Sequence, residues 1–128
     1  MRVAGEHDDA ASVEGLLHFD VRRAPEALVL AVTGEIDALT TARFRAAVTQ
    51  CLEEADDLLV VDLIKVSFLS SHGLAALVSA AQESERSRFK PPIRLVVDNN
   101  RPVVRPIELT GLDQYLALYD SVDDALSA

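Results

Sequence analysis

The chain has 128 residues, of which 49% are hydrophobic and 26% charged, and its formal net charge is −9. This composition excludes general disorder and predicts one globular domain with a single core. The acidic charge argues against direct nucleic-acid binding, which needs clustered lysine and arginine. It fits either solubility alone or a partner with a basic patch.

The sequence shows no targeting or membrane-spanning segment. Its first fifteen residues lack the apolar stretch of a signal peptide, and no run approaches the roughly 20 apolar residues of a membrane span. The single cysteine, Cys51, cannot form an internal disulfide, which fits a reducing compartment. We therefore expect a cytoplasmic protein without membrane contact.

Residues 1–15 are mostly small or acidic and lack periodicity, which predicts a flexible tail before a domain at residues 16–128. His7, Asp8 and Asp9 in that tail are interpreted as solvated side chains and not as metal ligands, because a flexible segment offers no fixed geometry. No metal or cofactor site is predicted.

The folded part begins with two strands in a predicted hairpin. Residues 16–22 alternate in polarity, residues 27–33 are more apolar, and a short turn joins them. Gly34 is predicted to end the second strand, and a loop is predicted to begin at Glu35.

An amphipathic helix follows this loop. Either Asp37 or Thr40 could cap its first turn, and the sequence leaves both open. Cys51 falls on the apolar face and is therefore predicted to be a core residue and not a reactive thiol. The apolar face repeats at helical spacing and comprises Phe44, Ala47, Val48, Cys51, Leu52 and Ala55.

The remaining elements alternate between strands and helices. Residues 58–63 form a nearly continuous apolar run, which predicts a buried strand parallel to the strand before the helix. The later elements are a helix at 71–87, a strand at 93–97, a helix at 101–110 ended by Gly111, a strand at 116–119 and a helix at 121–126 capped by Ser121. This order predicts a single α/β domain, a mixed, mostly parallel sheet of about five strands with about four helices.

The predicted loop at residues 63–73 connects the buried strand to the second helix. Loops that leave the carboxyl ends of strands are the usual ligand sites in α/β sheets. The loop places Ser70 and Ser71 at a helix start. Three interpretations compete for these serines: a helix cap, a catalytic nucleophile, or an acceptor for a phosphate that the helix N-terminus stabilises.

Catalysis is the weakest of the three interpretations. His72 follows Ser71 directly and points in a different direction at a helix start, so it is poorly placed as a base. The G-x-S-x-G elbow is absent, and so are P-loop and kinase motifs. We therefore expect that the protein is not an enzyme and that, if a serine is modified, the protein is the substrate of a kinase.

Residues 61–63 and 66–74 together resemble the signature of anti-sigma factor antagonists of the STAS domain family. Three further segments are similar to family motifs and occur in the family's order: residues 33–37 (Thr-Gly-Glu-Ile-Asp), 106–112 (Pro-Ile-Glu-Leu-Thr-Gly-Leu) and 123–126 (Asp-Asp-Ala-Leu). The resemblance spans the chain from residue 16 onward, and the predicted β-β-α-β-α-β-α-β-α order is also that of the family.

The resemblance implies a bacterial partner-switching protein that regulates transcription, for example in a stress response. When unphosphorylated, such an antagonist binds an anti-sigma factor that is also a serine kinase, and the sigma factor is released. Phosphorylation by that kinase, which holds ATP and Mg²⁺ in its own site, breaks the complex, and a phosphatase reverses the modification. We expect the free protein to be a monomer.

The resemblance implies that Ser71 is the phosphoacceptor. Two positions depart from the family pattern, which usually has Asp in place of Ser70 and often Ser or Thr in place of His72. Loss of that carboxylate leaves Ser70 as a rival acceptor. The alternative function is a STAS adaptor or docking domain that is not phosphorylated and belongs to a larger signalling or transport assembly. The implied partner-binding surface comprises Glu35, Asp37, Ser70, Ser71, His72 and Gly73.

Overall fold

The computed structural model describes residues 17–128, so the flexible tail predicted for residues 1–15 lies outside the described part. Residues 17–128 fold into five strands and four α-helices. The elements are β1 (Leu17–Ala24), β2 (Ala27–Ile36), α1 (Thr41–Glu54), β3 (Leu59–Leu69), α2 (Ser71–Arg86), β4 (Ile93–Val96), α3 (Arg101–Leu109), a 3-10 turn (Leu112–Gln114), β5 (Leu118–Tyr119) and α4 (Val122–Ser127).

The five strands form one sheet in the order β1-β2-β3-β4-β5. β1 pairs with β2 in an antiparallel hairpin, and β2, β3, β4 and β5 are parallel to one another. The predicted α/β class, the hairpin and the mixed, mostly parallel sheet with four helices are therefore confirmed. Because parallel strands end at the same edge of a sheet, the chain segments that follow β2, β3 and β4 lie at one edge.

The core lies mainly between the sheet and the helices α1, α2 and α3, and α4 packs on the opposite face. α1 contributes the apolar face predicted from its spacing, and Phe44 is fully buried within it. Cys51 is also buried, and burial together with the nearby Glu54 carboxylate raises the pKa of its thiol. The interpretation of Cys51 as a core residue is confirmed.

β3 is longer than the sequence predicts. The predicted end at residue 63 is wrong, because β3 continues to Leu69. Beyond Leu63 the buried positions, Val66 and Leu69, recur at every third residue instead of every second. This change in period arises from two register shifts against β2, each of which adds one residue to β3.

Gly34 does not end β2, as the sequence predicted, but lies within it at one of these register shifts. Its φ of 119° lies in a region that other residues rarely adopt, so glycine allows β2 to continue through the irregularity. β2 therefore extends to Ile36, and Glu35 belongs to the strand. Because β3 is also longer, the loop predicted at residues 63–73 shrinks to one residue, Ser70.

Candidate functional site

Ser70 separates β3 from α2 and caps the helix. Its Oγ accepts a hydrogen bond from the Gly73 N–H at 3.2 Å, and its backbone N–H donates to the Ile36 carbonyl at 2.8 Å. The first bond satisfies one of the unpaired N–H groups of the first helical turn, and the second ties the start of α2 to the end of β2. The cap interpretation therefore applies to Ser70.

Ser71 is the first residue of α2, and it is exposed. Within residues 17–128 its hydroxyl forms no hydrogen bond. The hydroxyl lies at the positive end of a helix of 16 residues, where N–H groups and the helix dipole stabilise negative charge. The two serines therefore differ, because Ser70 is engaged in the fold and the Ser71 oxygen is available to another molecule.

Gly73 brings the first turn of α2 close to the ends of β2 and β3. A Cβ atom at this position would lie 2.5 Å from Ile36 Cγ2 and 2.8 Å from Leu69 Cδ1, which is closer than real Cβ atoms approach. Gly73 is also buried. Gly73 therefore lies beneath the surface around Ser71 and allows α2 to pack closely on the strands. It is not itself exposed on that surface.

The Asp37 carboxylate holds the loop between β2 and α1. Its Oδ1 accepts hydrogen bonds from the N–H groups of Leu39 and Thr40 at 2.9 and 3.0 Å. Thr40 occupies the N-cap position of α1, but its hydroxyl donates to the Glu35 carbonyl at 2.7 Å and does not cap the helix. Asp37 and Thr40 together fix the loop that leads into α1.

Glu35 is the more accessible of the two acidic residues on the predicted surface. It is exposed at the end of β2, opposite Phe68 of β3, and its carboxylate forms no hydrogen bond within residues 17–128. Asp37, in contrast, is half-buried and holds its own loop. His72 is exposed in the first turn of α2. The predicted surface therefore presents Glu35, Ser71 and His72 to solvent.

Two exposed apolar side chains at this edge were not predicted as site residues. Leu39, in the loop before α1, is 70% exposed, and Phe68, near the end of β3, is 49% exposed. A partner that covers them would gain the free energy of burying apolar surface. Periodicity carries no signal for either residue, because a lone leucine in a loop has no period and Phe68 follows register shifts that patterning does not reveal. Phe68 does lie in the segment that resembles the family signature.

Within the described part of the chain, no hydrogen bond joins His72 to Ser71. Residues 17–128 contain no group of three or more His, Cys, Asp or Glu side chains that could hold a metal ion. None of the helices in this range is long and apolar enough to cross a membrane. The polar residues of the tail, His7, Asp8 and Asp9, lie outside the described residues.

We expect Ser70→Ala to destabilise the protein and Ser70→Asp to preserve its stability. Alanine removes the acceptor for the Gly73 N–H, and loss of a helix cap costs about 1 kcal/mol, whereas aspartate caps a helix as well as serine does. Denaturant unfolding measures the difference. Ser71→Ala is the matched control, with an expected change within about 0.5 kcal/mol. Equal losses in the two Ser70 variants would contradict the cap.

The sheet order, the three helices on one face and the serine at the start of α2 define the class of protein. Residues 18–125 match the family model of the STAS domain, and the chain therefore belongs to the STAS domain family. The resemblance found in the sequence is confirmed. Over 100 residues, the chain is 35% identical to the anti-sigma-F factor antagonist RsfB of Mycobacterium tuberculosis, strains CDC 1551 and H37Rv. The aligned region covers 77% of this chain and 78% of RsfB.

Solved structures agree with this assignment. The crystal structure of an anti-sigma factor antagonist from Mycobacterium paratuberculosis superposes with a TM-score of 0.78 at 32% identity, covering 87% of this chain and 92% of that one. SpoIIAA of Bacillus, solved in its phosphorylated form, superposes with a TM-score of 0.59 at 18% identity, covering 86% of this chain and 97% of that one. The likeness to SpoIIAA concerns the fold alone.

Proposed function

We propose that this protein is an anti-sigma factor antagonist that is switched off by phosphorylation of Ser71. The observation that carries the proposal is the exposed Ser71 hydroxyl at the start of α2, in the segment that resembles the family's phosphoacceptor motif. The similarity to RsfB and to the antagonist from Mycobacterium paratuberculosis supports the same function. In this proposal the protein is a regulator and not an enzyme, and it acts in the cytoplasm.

The unphosphorylated protein binds an anti-sigma factor that is also a serine kinase. The anti-sigma factor then releases the sigma factor that it held. The surface offered to this partner combines apolar area from Leu39 and Phe68 with the exposed carboxylate of Glu35. Apolar residues at the centre of an interface supply affinity, and a charge at its rim orients a partner of opposite charge. Before it binds, the protein is a monomer.

Phosphorylation of Ser71 adds negative charge to the surface at the start of α2. The Ser71 hydroxyl attacks the γ-phosphorus of ATP held with Mg²⁺ in the kinase, ADP leaves, and a kinase base takes the hydroxyl proton. The phosphate carries roughly −1.5 to −2 charges near neutral pH. A partner surface that fits the small neutral serine has no group placed to pair with this charge, so burial of the phosphate in the complex is unfavourable. A phosphatase restores the serine and the binding surface.

Serine in place of the family's aspartate at position 70 is compatible with this switch. The Ser70 hydroxyl performs the capping that an aspartate would perform, so the start of α2 keeps its geometry without the carboxylate. Ser70 is also half-buried with its oxygen engaged, whereas Ser71 is exposed. We therefore place the phosphate on Ser71 and not on Ser70.

Leu39 provides a test of the binding surface. We expect Leu39→Ser to weaken the complex with the cognate anti-sigma kinase about tenfold or more, since burial of a leucine side chain contributes about 1.5–3 kcal/mol. Thermal unfolding should change little, because Leu39 is 70% exposed. Phe89, which is 85% exposed in the loop between α2 and β4, supplies the matched control as Phe89→Ser. Equal effects of the two substitutions on affinity would contradict the assigned surface.

The function itself is tested by titration of the unphosphorylated protein with the cognate anti-sigma kinase and its sigma factor. The proposal predicts a complex with the kinase and release of sigma factor, both reversed when ATP and Mg²⁺ are added. No complex in either state would overturn it. A complex that persists with ATP, without phosphate on the protein, would favour the adaptor function.

A further inference from the structure

Asn100 lies between β4 and α3, and its side chain reaches β3. The amide Nδ2 donates to the Leu63 carbonyl at 2.9 Å and to the Val66 carbonyl at 2.7 Å. β4 pairs with β3 only as far as Asp62, so the last part of β3 has no neighbouring strand on this side. Asn100 therefore supplies the two N–H donors that a longer β4 would otherwise provide.

The two carbonyls lie at the register shifts of β3. Leu63 lies within the first shift, and Val66 borders the second. A bulge leaves backbone groups without partners in the ladder, and here side chains take their place. The Asp62 carboxylate accepts a hydrogen bond from the Ile64 N–H at 3.0 Å, while Asn100 satisfies the carbonyls. The paired residues on either side of the shifts are Ala31–Asp62, Thr33–Lys65, Gly34–Val66 and Glu35–Phe68.

The two shifts determine where β3 ends relative to β2. Together they add two residues to β3, which corresponds to about 6–7 Å at the rise of a strand. With the register of the first half of the sheet, Ser67 would lie opposite Ile36; with the shifts, Leu69 does. Ser70 and Ser71 follow directly. The bulges therefore determine the position of the two serines at the edge of the sheet.

The backbone of Asn100 is itself held firmly. Its N–H donates to the Val97 carbonyl at 2.8 Å, and its own carbonyl accepts the N–H groups of Val103 and Val104 at 2.9 and 2.8 Å. The residue before it, Asn99, has a left-handed φ of 59°, which turns the chain sharply between β4 and α3. These hydrogen bonds therefore fix the backbone that carries the side chain toward β3. A neutral amide offers two N–H donors on one nitrogen, whereas a carboxylate of the same shape offers none.

We propose that Asn100 is a positioning residue for Ser71: by holding both bulges of β3, it fixes the phosphoacceptor relative to the loop of Asp37. The inference rests on the proposed function, because the acceptor role of Ser71 belongs to that proposal. The physical part of the inference, that Asn100 fixes the start of α2, can be measured without a kinase.

The test compares Asn100→Asp with Asn99→Asp. Asn100→Asp keeps the shape of the side chain but turns carboxylate oxygens toward two carbonyls. Aspartate remains a favoured residue at a helix N-cap, so α3 is not the target of the change. Asn99→Asp makes the same chemical change at an exposed position, and aspartate tolerates its left-handed backbone. Val29→Ala, in the core on the opposite face of the sheet, controls for a general loss of stability.

Two quantities are measured for each variant, at a temperature at which every variant is folded. They are amide hydrogen exchange at residues 70–74 and the rate at which the cognate anti-sigma kinase phosphorylates Ser71. We expect faster exchange and about tenfold slower phosphorylation in Asn100→Asp, because a small misplacement of a reacting group slows transfer strongly. Asn99→Asp and Val29→Ala should match the wild type in both readouts. Asn100→Ser, a good cap too short to reach both carbonyls, is the variant to measure if aspartate prevents folding.

The outcomes separate the positioning role from the proposed function. If Asn100→Asp behaves like Val29→Ala at residues 70–74, Asn100 is only a structural residue and the inference is overturned. If the kinase phosphorylates no variant, including the wild type, the proposed function fails. Hydrogen exchange still decides in that case whether Asn100 fixes the start of α2.

Discussion

Ser71→Ala is expected to bind the anti-sigma kinase whether or not ATP is present, and Ser71→Glu is expected to bind it in neither condition. Alanine removes the oxygen that accepts the phosphate while the apolar surface of Leu39 and Phe68 is kept. Glutamate adds a fixed negative charge in the first turn of α2, where the serine is exposed. Burial of an unpaired charge against a surface that fits a small neutral side chain costs several kcal/mol, so we expect affinities that differ by about 100-fold or more.

Isothermal titration with and without ATP and Mg²⁺ measures both affinities. Ser79→Glu is the matched control, because Ser79 is exposed on the same helix eight positions later, or about 12 Å away. The control should bind like the wild type. Equal affinities of the Ser71→Ala and Ser71→Glu variants would contradict the switch.

Gly73→Ala is expected to destabilise the protein by about 1–3 kcal/mol, the usual cost of inserting atoms into a well-packed core. The added Cβ would lie 2.5 Å from Ile36 Cγ2 and 2.8 Å from Leu69 Cδ1, so the first turn of α2 or these two side chains must shift. Because Ser70 and Ser71 lie in that turn, the variant should also bind the anti-sigma kinase more weakly. Urea unfolding and titration measure the two effects.

Gly111→Ala is the control that separates an effect of Gly73→Ala on kinase binding from its effect on stability. Gly111 has a left-handed φ of 75°, and its added Cβ would meet no atom within 4 Å. The substitution therefore costs about 1–2 kcal/mol through backbone strain alone and leaves the start of α2 in place. Its affinity for the kinase should be that of the wild type. If Gly73→Ala is as stable as the wild type, close packing does not fix the start of α2.

The order of the elements could be predicted because most of them have a clear period. The apolar face of α1 follows helical spacing, and the short apolar run that begins β3 identifies a buried strand. The left-handed conformation of Gly111 after α3 was likewise predicted from glycine chemistry and is observed at φ 75°. These features are local, so the sequence alone reveals them.

The end of β3 could not be predicted, because it depends on contacts between distant residues. The two bulges change the spacing of buried residues from two to three, and Asn100, which holds them, lies 34 residues after Val66. The same limit applies to the serines. Local chemistry alone leaves Ser70 and Ser71 equivalent. The family resemblance favoured Ser71 as the acceptor, and the hydrogen bond from the Gly73 N–H to Ser70 Oγ shows that Ser70 is the cap.

The surface residues, too, could be predicted only in part from the sequence. The family motifs indicated Glu35 and Asp37 together, but Asp37 holds its own loop and Glu35 is left exposed. Leu39 and Phe68 were missed because exposure of an apolar side chain is a property of the folded surface. Sequence reasoning thus indicated the edge of the sheet for which we propose the site, and the structure shows which of its side chains are exposed.

The most direct test of the central claim is to incubate the protein with its cognate anti-sigma kinase, ATP and Mg²⁺ and to map phosphate by mass spectrometry. The kinase complex is followed by gel filtration in the same samples. We predict one phosphate, on Ser71, and loss of the complex as that phosphate accumulates. A complex that persists with Ser71 unmodified, or phosphate on Ser70 instead, would contradict the account.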